Sequence, residues 1–312
     1  MSDSPFDDLL TPERTPQGLK LRQSPLCLEP RGRSPLGFLA HARGARASLP
    51  ERIVATAPTL ALLEAAQPRS LLRSAPLPAT FGKSFQLAGL KLTLLPAGHI
   101  LGSAQLKCEK DGEHLIYTGD LGGVGDRAST FAEKRETTIC DTLILRATYG
   151  QPRFVFPPRA EVLARLVEFV EDTLAQGLTP VVLAARLGGA QEAIRQLSAA
   201  GHPLLVHPAV HKACEVFARL GHTPGPIGVL EKALPARGQV VLWPYGTRRD
   251  KRAPVFPHRT VLLTGRAIEG DFAQNEGVDL ALPLSDHAGF DQLVEAATAS
   301  QATRVFTVHG HD

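Results

Sequence analysis

Two apolar runs, Lys91–Leu95 and His114–Thr118, each stop at a polar residue preceded by glycine: Gly98-His99 after the first and Gly119-Asp120 after the second. Short runs of this kind, bounded by turn residues, read as buried strands. A histidine and an aspartate at the ends of two such strands converge on one point at a sheet edge, which is how a metal or phosphate site is built. Taken singly, the same residues also fit a turn cap at His99 and a turn start at Asp120. The chain around them has 312 residues, enough for one large or two ordinary domains with a sizeable core.

Upstream of this stretch, residues 1–16 read as a loose polar tail. Short strands are expected at Gly18–Arg22, Leu26–Leu28, Leu36–Ala40 and Arg52–Ala55, punctuated by proline and glycine. Thr56-Ala57-Pro58 starts a helix that runs to about Ala66, with threonine as cap and proline in the first turn. Strands at Ser84–Leu87, Leu90–Leu95, Ala104–Glu109 and Asp141–Leu145 complete a strand-rich first part. Beyond it strands and helices alternate. Apolar residues at Val162, Leu163, Leu166, Val167, Val170 and Leu174 mark a helix over Arg159–Gln176, and further helices over Gly189–Ala200 and Ala209–Leu220 separate strands Pro180–Ala184, Leu204–Val206 and Gln239–Trp243. Helices of this length between strands imply parallel βαβ units. From Thr260–Leu263 the chain is expected to return to the first domain, through Val278–Leu282, a helix over Gly289–Ser300 and a strand at Arg304–Val308.

No run approaches the roughly 18 apolar residues of a membrane helix, and the N-terminus (MSDSPFDDLL) is acidic, unlike a signal peptide, so a cytoplasmic protein without membrane partners is expected. Cys27, Cys108, Cys140 and Cys214 form no C-x-x-C pair and read as small core hydrophobes. The net charge of +3 demands no polyanionic partner, yet arginine heavily outnumbers lysine. Guanidinium groups bind phosphate with a fork of donors, and codon bias in a GC-rich genome gives the same excess.

The string PAGHILGSA…YTGD, residues 96–120, resembles the third and fourth metal-binding motifs of metallo-β-lactamase-fold hydrolases. More narrowly, the chain is similar to the β-CASP nucleic-acid nucleases, in the bacterial branch of RNA 3′-end-processing-like or DNA-ligase-associated exonucleases, over nearly its whole length from about Gly18. That resemblance implies an α/β protein: an αββα metallo-β-lactamase sandwich (residues 1–149 and 256–312) with a β-CASP α/β domain inserted at 150–255. It also implies two metals, bound through an aspartate, an H-x-H-x-D-H loop, a third-motif histidine and a bridging aspartate.

The matches and departures can be placed residue by residue. Glu29-Pro30 stands where Asp-Pro is usual, and HARGAR, residues 41–46, where H-x-H-x-D-H is usual; His99 and Asp120 match the next two motifs. LILRATYG carries Arg146 in place of an acid, LPLSDHAGF supplies Ser285 and His287, TVHG supplies His309, and LGGAQE has Gly189 for an arginine. The implied metal ligands are therefore His41, His99, Asp120 and His309, with His311 as a substitute. Arg43, Ala45 and Arg46 occupy the places of a histidine, an aspartate and a histidine, and a guanidinium cannot ligate a cation. The resemblance then implies at most one divalent metal per chain, manganese or zinc, or none.

Two readings of Arg43, Arg46 and Arg146 stay open: guanidinium groups holding the phosphate that metals held, or drift in a relaxed site. Two functions follow from the resemblance. One is a metal-dependent phosphodiesterase acting on single-stranded DNA or RNA, with Asp120, His287 and His309 catalytic and Arg43, Arg46, Arg146 and Ser285 on the phosphates. The other is a pseudonuclease that binds nucleic acid without cutting it. Since the family pattern continues past the last histidine motif, Arg304–Val308 is expected as an exposed edge strand that invites homodimerisation.

Overall fold

The computed structural model describes residues 10–22, 24–43, 48–230, 235, 237–245 and 256–310. The chain forms two compact units, one from Met1–Gly122, Ala132–Gln151 and Phe290–Asp312, the other from Gly123–Phe131 and Pro152–Gly289.

Two six-stranded sheets build the first unit. One takes β1 (Pro12–Thr15), β2 (Gly18–Leu21), β3 (Leu26–Leu28), β4 (Leu36–Phe38), β5 (Arg52–Thr56) and β6 (Ala75–Ala79) in chain order. The other takes the meander β7 (Phe85–Leu87), β8 (Leu90–Pro96), β9 (Ala104–Lys110) and β10 (Glu113–Tyr117), then β11 (Thr142–Arg146) and, at its edge, the last strand of the chain, β18 (Arg304–Val308), both parallel to their neighbours. Between the sheets lies one apolar core: Leu26, Phe38 and Val54 from the first pack with Leu92, Leu106, Leu115 and Ile144 from the second.

Helices α1 (Ala57–Ala66) and α2 (Pro68–Leu71) connect β5 to β6. The Thr56 hydroxyl accepts from Thr59 N and caps α1, as the sequence implies. On the second sheet, Ala296 of α7 (Phe290–Ala299) shares a small interior space with Ile116 and Leu143. The result is the expected αββα sandwich. Two departures concern the ends of the first sheet. Pro12–Thr15, expected as tail, pairs antiparallel with β2 and follows a fully buried Leu10. The proline-containing Ala75–Ala79 is a strand because it sits at the sheet edge, where a missing N–H costs nothing.

In the second unit every strand pairing is parallel: β12 (Thr179–Ala184), β13 (Leu204–Val206), β14 (Gly228–Val229), β15 (Val240–Pro244), β16 (His258–Leu263) and β17 (Leu280–Leu282), in the order β14-β13-β15-β12-β16-β17. Successive residues of a strand point to opposite faces, and here both faces are covered. Val182, Val206, Leu242, Val261 and Leu263 meet α3 (Arg159–Ala175), α4 (Gly189–Ala199) and α5 (Pro208–Arg219). Val181, Leu183, Val241, Trp243 and Leu262 meet Phe272 of α6 (Phe272–Glu276) on the other side.

The expected return to the first unit at residue 256 is corrected. β16 pairs with β12, Val182 opposite Val261, so Thr260–Leu263 belongs to the inserted sheet and the chain leaves it only at Phe290. An apolar run declares itself a strand without declaring its partner. All four cysteines are buried, and no described helix is long and apolar enough to cross a membrane.

A buried charge network closes the second unit. Arg159, the first residue of α3, ion-pairs through Nε with Glu192, and through its terminal nitrogens it donates to Asp286 Oδ1 (3.1 Å) and Ser285 O (2.6 Å). Glu192 also accepts from Ser129 Oγ (2.7 Å) and Thr130 N (2.9 Å), and Asp286 from Gly189 N (3.2 Å). Burial opposes the charge on Arg159, but the two carboxylates outweigh it and hold the guanidinium above its ordinary pKa. Replacing Arg159 strands two buried anions, so Arg159→Met is expected to cost about 3–5 kcal/mol in urea unfolding. A triple Arg159→Met, Glu192→Leu, Asp286→Leu variant is expected to recover much of that loss.

Candidate metal centre

Three segments deliver the polar residues of the first unit. The end of β4 leads through Leu39-Ala40 to His41, the turn after β8 carries His99, and the turn after β10 carries Asp120. Glycines let these backbones meet. A Cβ on Gly119 (φ +55°) would stand 2.5 Å from Ala40 Cβ, and one on Gly122 would stand 1.9 Å from Gly98 O. Gly122 N donates to Ala97 O (2.9 Å), and the Ser103 hydroxyl accepts from His99 N (3.0 Å), which fixes the His99 turn. Thus small residues beside His99 and Asp120 bring their turns into contact.

His41, His99 and Asp120 are all buried, His99 completely, and one ligand atom from each lies within 4.8 Å of the others. The two imidazoles meet edge to face with centroids 4.8 Å apart, and His41 Nε2 lies 2.9 Å from Asp120 Oδ2. Two nitrogens and a carboxylate oxygen this close fit one divalent ion, whose ligands stand about 2.0–2.2 Å from it. The other oxygen of Asp120 is taken differently. Arg146 Nε lies 2.9 Å from Oδ1, and Thr148 Oγ1 donates to the same atom at 3.2 Å.

Electrostatics around this carboxylate are tightly coupled. Burial works against the charge on Arg146, but Asp120, Tyr117 and Glu29 outweigh it and raise its pKa. Glu29 is half-buried. Burial pushes its carboxyl above the usual range against the pull of His41, Arg146 and the Ala40 N–H that it accepts. Burial likewise holds the Tyr117 hydroxyl well above the phenolic range. His309 does not join the His41–His99–Asp120 cluster. It lies at the end of β18 on an exposed turn (φ +57°), where burial of its ring together with Arg146, Arg31 and Arg14 lowers its pKa below that of a free imidazole.

The remaining expected site residues are dispersed. Arg43 is exposed two residues after His41, while Ala45, Arg46 and His311 lie outside the described residues. Ser285 and His287 belong to the second unit, where the Ser285 hydroxyl accepts from His287 N (3.0 Å) and donates to His287 O (3.1 Å). That hydroxyl shapes its own turn. Sequence reasoning passed over Thr148 and Tyr117; their only signal was position, each at or just past the end of a strand that carries or leads into a site residue.

No family model matches the chain. Among known proteins it is 35% identical over 277 residues to the "Probable DNA ligase" of Opitutus terrae, covering 88% of this chain and 26% of that protein. An RNase J-like protein of Methanocaldococcus jannaschii is 35% identical over 103 residues, 33% of this chain and 24% of the relative. A ribonuclease of Thermus thermophilus is 29% identical over 149 residues, 46% of this chain and 34% of the relative. The chain thus spans about a quarter to a third of the length of these curated relatives. A crystal structure of an Enterococcus faecalis V583 protein of unknown function superposes with a TM-score of 0.57 at 9% identity, over 88% of this chain and 75% of that one, a likeness of fold alone. Sandwich, clustered histidines and aspartate, and similarity to ribonucleases agree: the chain belongs to the metallo-β-lactamase-fold β-CASP family.

Proposed function

We propose that the protein hydrolyses phosphodiester bonds in single-stranded nucleic acid, using one divalent metal and one arginine where its family uses two metals. The observation that carries this reading is the division of Asp120, one oxygen beside His41 and the other beside Arg146. His41, His99 and Asp120 are the proposed ligands of a manganese or zinc ion. A cation held there supplies Lewis acidity and neutralises charge on the attacked phosphate. A second dication placed about 4 Å from the Arg146 guanidinium would meet a repulsion of roughly 8 kcal/mol at an effective dielectric constant of about 20.

Arg146 takes over the electrostatic part of the lost metal's role. Asp120 anchors its Nε, and its terminal nitrogens supply further donors for non-bridging phosphate oxygens. His309, its pKa lowered by partial burial and by the neighbouring Arg146, Arg31 and Arg14, is assigned to take a proton from the attacking water and to return it to the leaving oxygen. From the resemblance we also assign His287 to the phosphate and Arg43 to the flanking strand. Ser285 is withdrawn from that role, because its hydroxyl is engaged within its turn. The second unit is read as the β-CASP insertion. The similarity to a relative named as a DNA ligase favours DNA repair as the setting, with RNA processing as the alternative.

Elemental analysis of protein purified with manganese or zinc is expected to give no more than one ion per chain, readily stripped by chelator. Cleavage of a labelled single strand should require added metal and vanish in Asp120→Ala. Two tightly held ions would overturn the reading, and absence of cleavage with any divalent metal would favour the pseudonuclease. Arg146→Ala is expected to lower turnover by about 10²-fold or more while metal stoichiometry is unchanged.

We also propose a homodimer through β18, an edge strand whose Val305 and Phe306 are 48% and 39% exposed. Light scattering over a wide concentration range is expected to show association that Phe306→Lys suppresses.

A further inference from the structure

A polar cavity of 380 Å³ opens in the first unit between the β1–β2 hairpin and the end of β18. Its volume sits at the low end of the roughly 300–1,000 Å³ of small-molecule sites, room for one nucleotide and not for a duplex. Arg14, Arg31 and His309 line it, with Glu29 and Tyr117 on the wall towards Asp120 and Arg146. Arg14 and Arg31 are exposed, and among the described residues neither ion-pairs with a carboxylate. Among the described residues Glu29 is the only acid on the lining, and its carboxyl accepts from the Ala40 N–H. The cavity is therefore cationic, with two guanidinium forks available to a ligand.

Backbone geometry points the same way. Of the five non-glycine residues held at positive φ among the described residues, two line this one cavity: Glu29 (φ +51°) and His309 (φ +57°). A side chain in this left-handed region is strained, and strain of this kind gathers at functional sites.

We propose that this cavity is a nucleotide-phosphate pocket, separate from the His41–His99–Asp120 cluster, in which Arg14 and Arg31 grip a phosphate of the bound strand. The assignment rests on the nuclease reading, which it deepens by placing one nucleotide of the substrate beside the metal centre. Planar guanidinium groups pair with phosphate oxygens two at a time, so the pocket selects for the anion and not for the base.

The test uses the metal-free chain as wild type and in two double variants: Arg14→Ala with Arg31→Ala, and, as a control of equal charge loss at exposed positions on α2 and the turn after it, Arg69→Ala with Arg73→Ala. Thermal melts confirm that each folds. Calorimetric titration with a nucleoside monophosphate is expected to show binding that weakens by about tenfold or more in the pocket variant and is unchanged in the control. Fluorescence anisotropy with a single strand carrying a 5′-phosphate, a 3′-phosphate or hydroxyl ends then locates the phosphate. A gain for one phosphorylated end that needs both arginines assigns the pocket to that terminus. Equal affinities of the three strands, all weakened only in the pocket variant, assign it to an internal phosphodiester.

Equal mononucleotide affinities in wild type and pocket variant, or an equal loss in the control, would overturn the pocket and leave the nuclease reading intact. Mononucleotide binding through Arg14 and Arg31 without binding of any strand would keep the pocket and sink the nuclease reading.

Discussion

A buried carboxylate remains an anion only where positive charge or hydrogen-bond donors face both of its oxygens. Asp120 meets that condition with an imidazole on one side and a guanidinium and a hydroxyl on the other, while being 4% exposed. Everything around it follows from the need to hold that charge. Arg146 tolerates its own partial burial because Asp120, Tyr117 and Glu29 face it. Glu29, next in line and without a full partner of its own, is pushed towards its neutral form. The Arg146 guanidinium thus supplies permanent positive charge beside this carboxylate.

The same carboxylate explains why glycine is placed where it is. Three turns must approach until their backbones touch, and at Gly119 and Gly122 no side chain would leave room. A tolerant surface turn would accept alanine there. These would not, so the Gly-His and Gly-Asp pairs of the sequence report both the polar residue of the cluster and the closeness of its neighbour.

Much of this was legible beforehand. The strands Leu90–Pro96 and Glu113–Tyr117 and the turns after them follow directly from apolar runs stopped by polar residues, and the capped helix at Thr56 and the stripe of α3 appear as read. His41 emerged only through resemblance, since its segment offers no periodicity, and the structure brings it to Asp120. What stayed hidden were pairings at long sequence separation. Nothing local in Thr260–Leu263 says that it lies beside β12, and nothing in Arg159 says that it meets Glu192 and Asp286, 33 and 127 residues away. Arg14 and Arg31 hid for the opposite reason. In an arginine-rich chain, two more arginines carry no signal until a cavity gathers them.

The pairing of β18 with β11 has a consequence for the order in which the molecule can be made. Arg304 meets Thr142 across 162 residues, and all of the second unit except Gly123–Phe131 is synthesised in between. A nascent chain therefore displays Leu143 and Ile144 on an unfinished sheet while a parallel-stranded insertion, a slow topology in itself, forms downstream. His41, His99 and Asp120 are all translated before that insertion begins, whereas His309 follows it. During biosynthesis the three residues of the cluster thus exist well before the wall of the cavity beside them does, and the insertion must bring its two ends together before the last strand can dock.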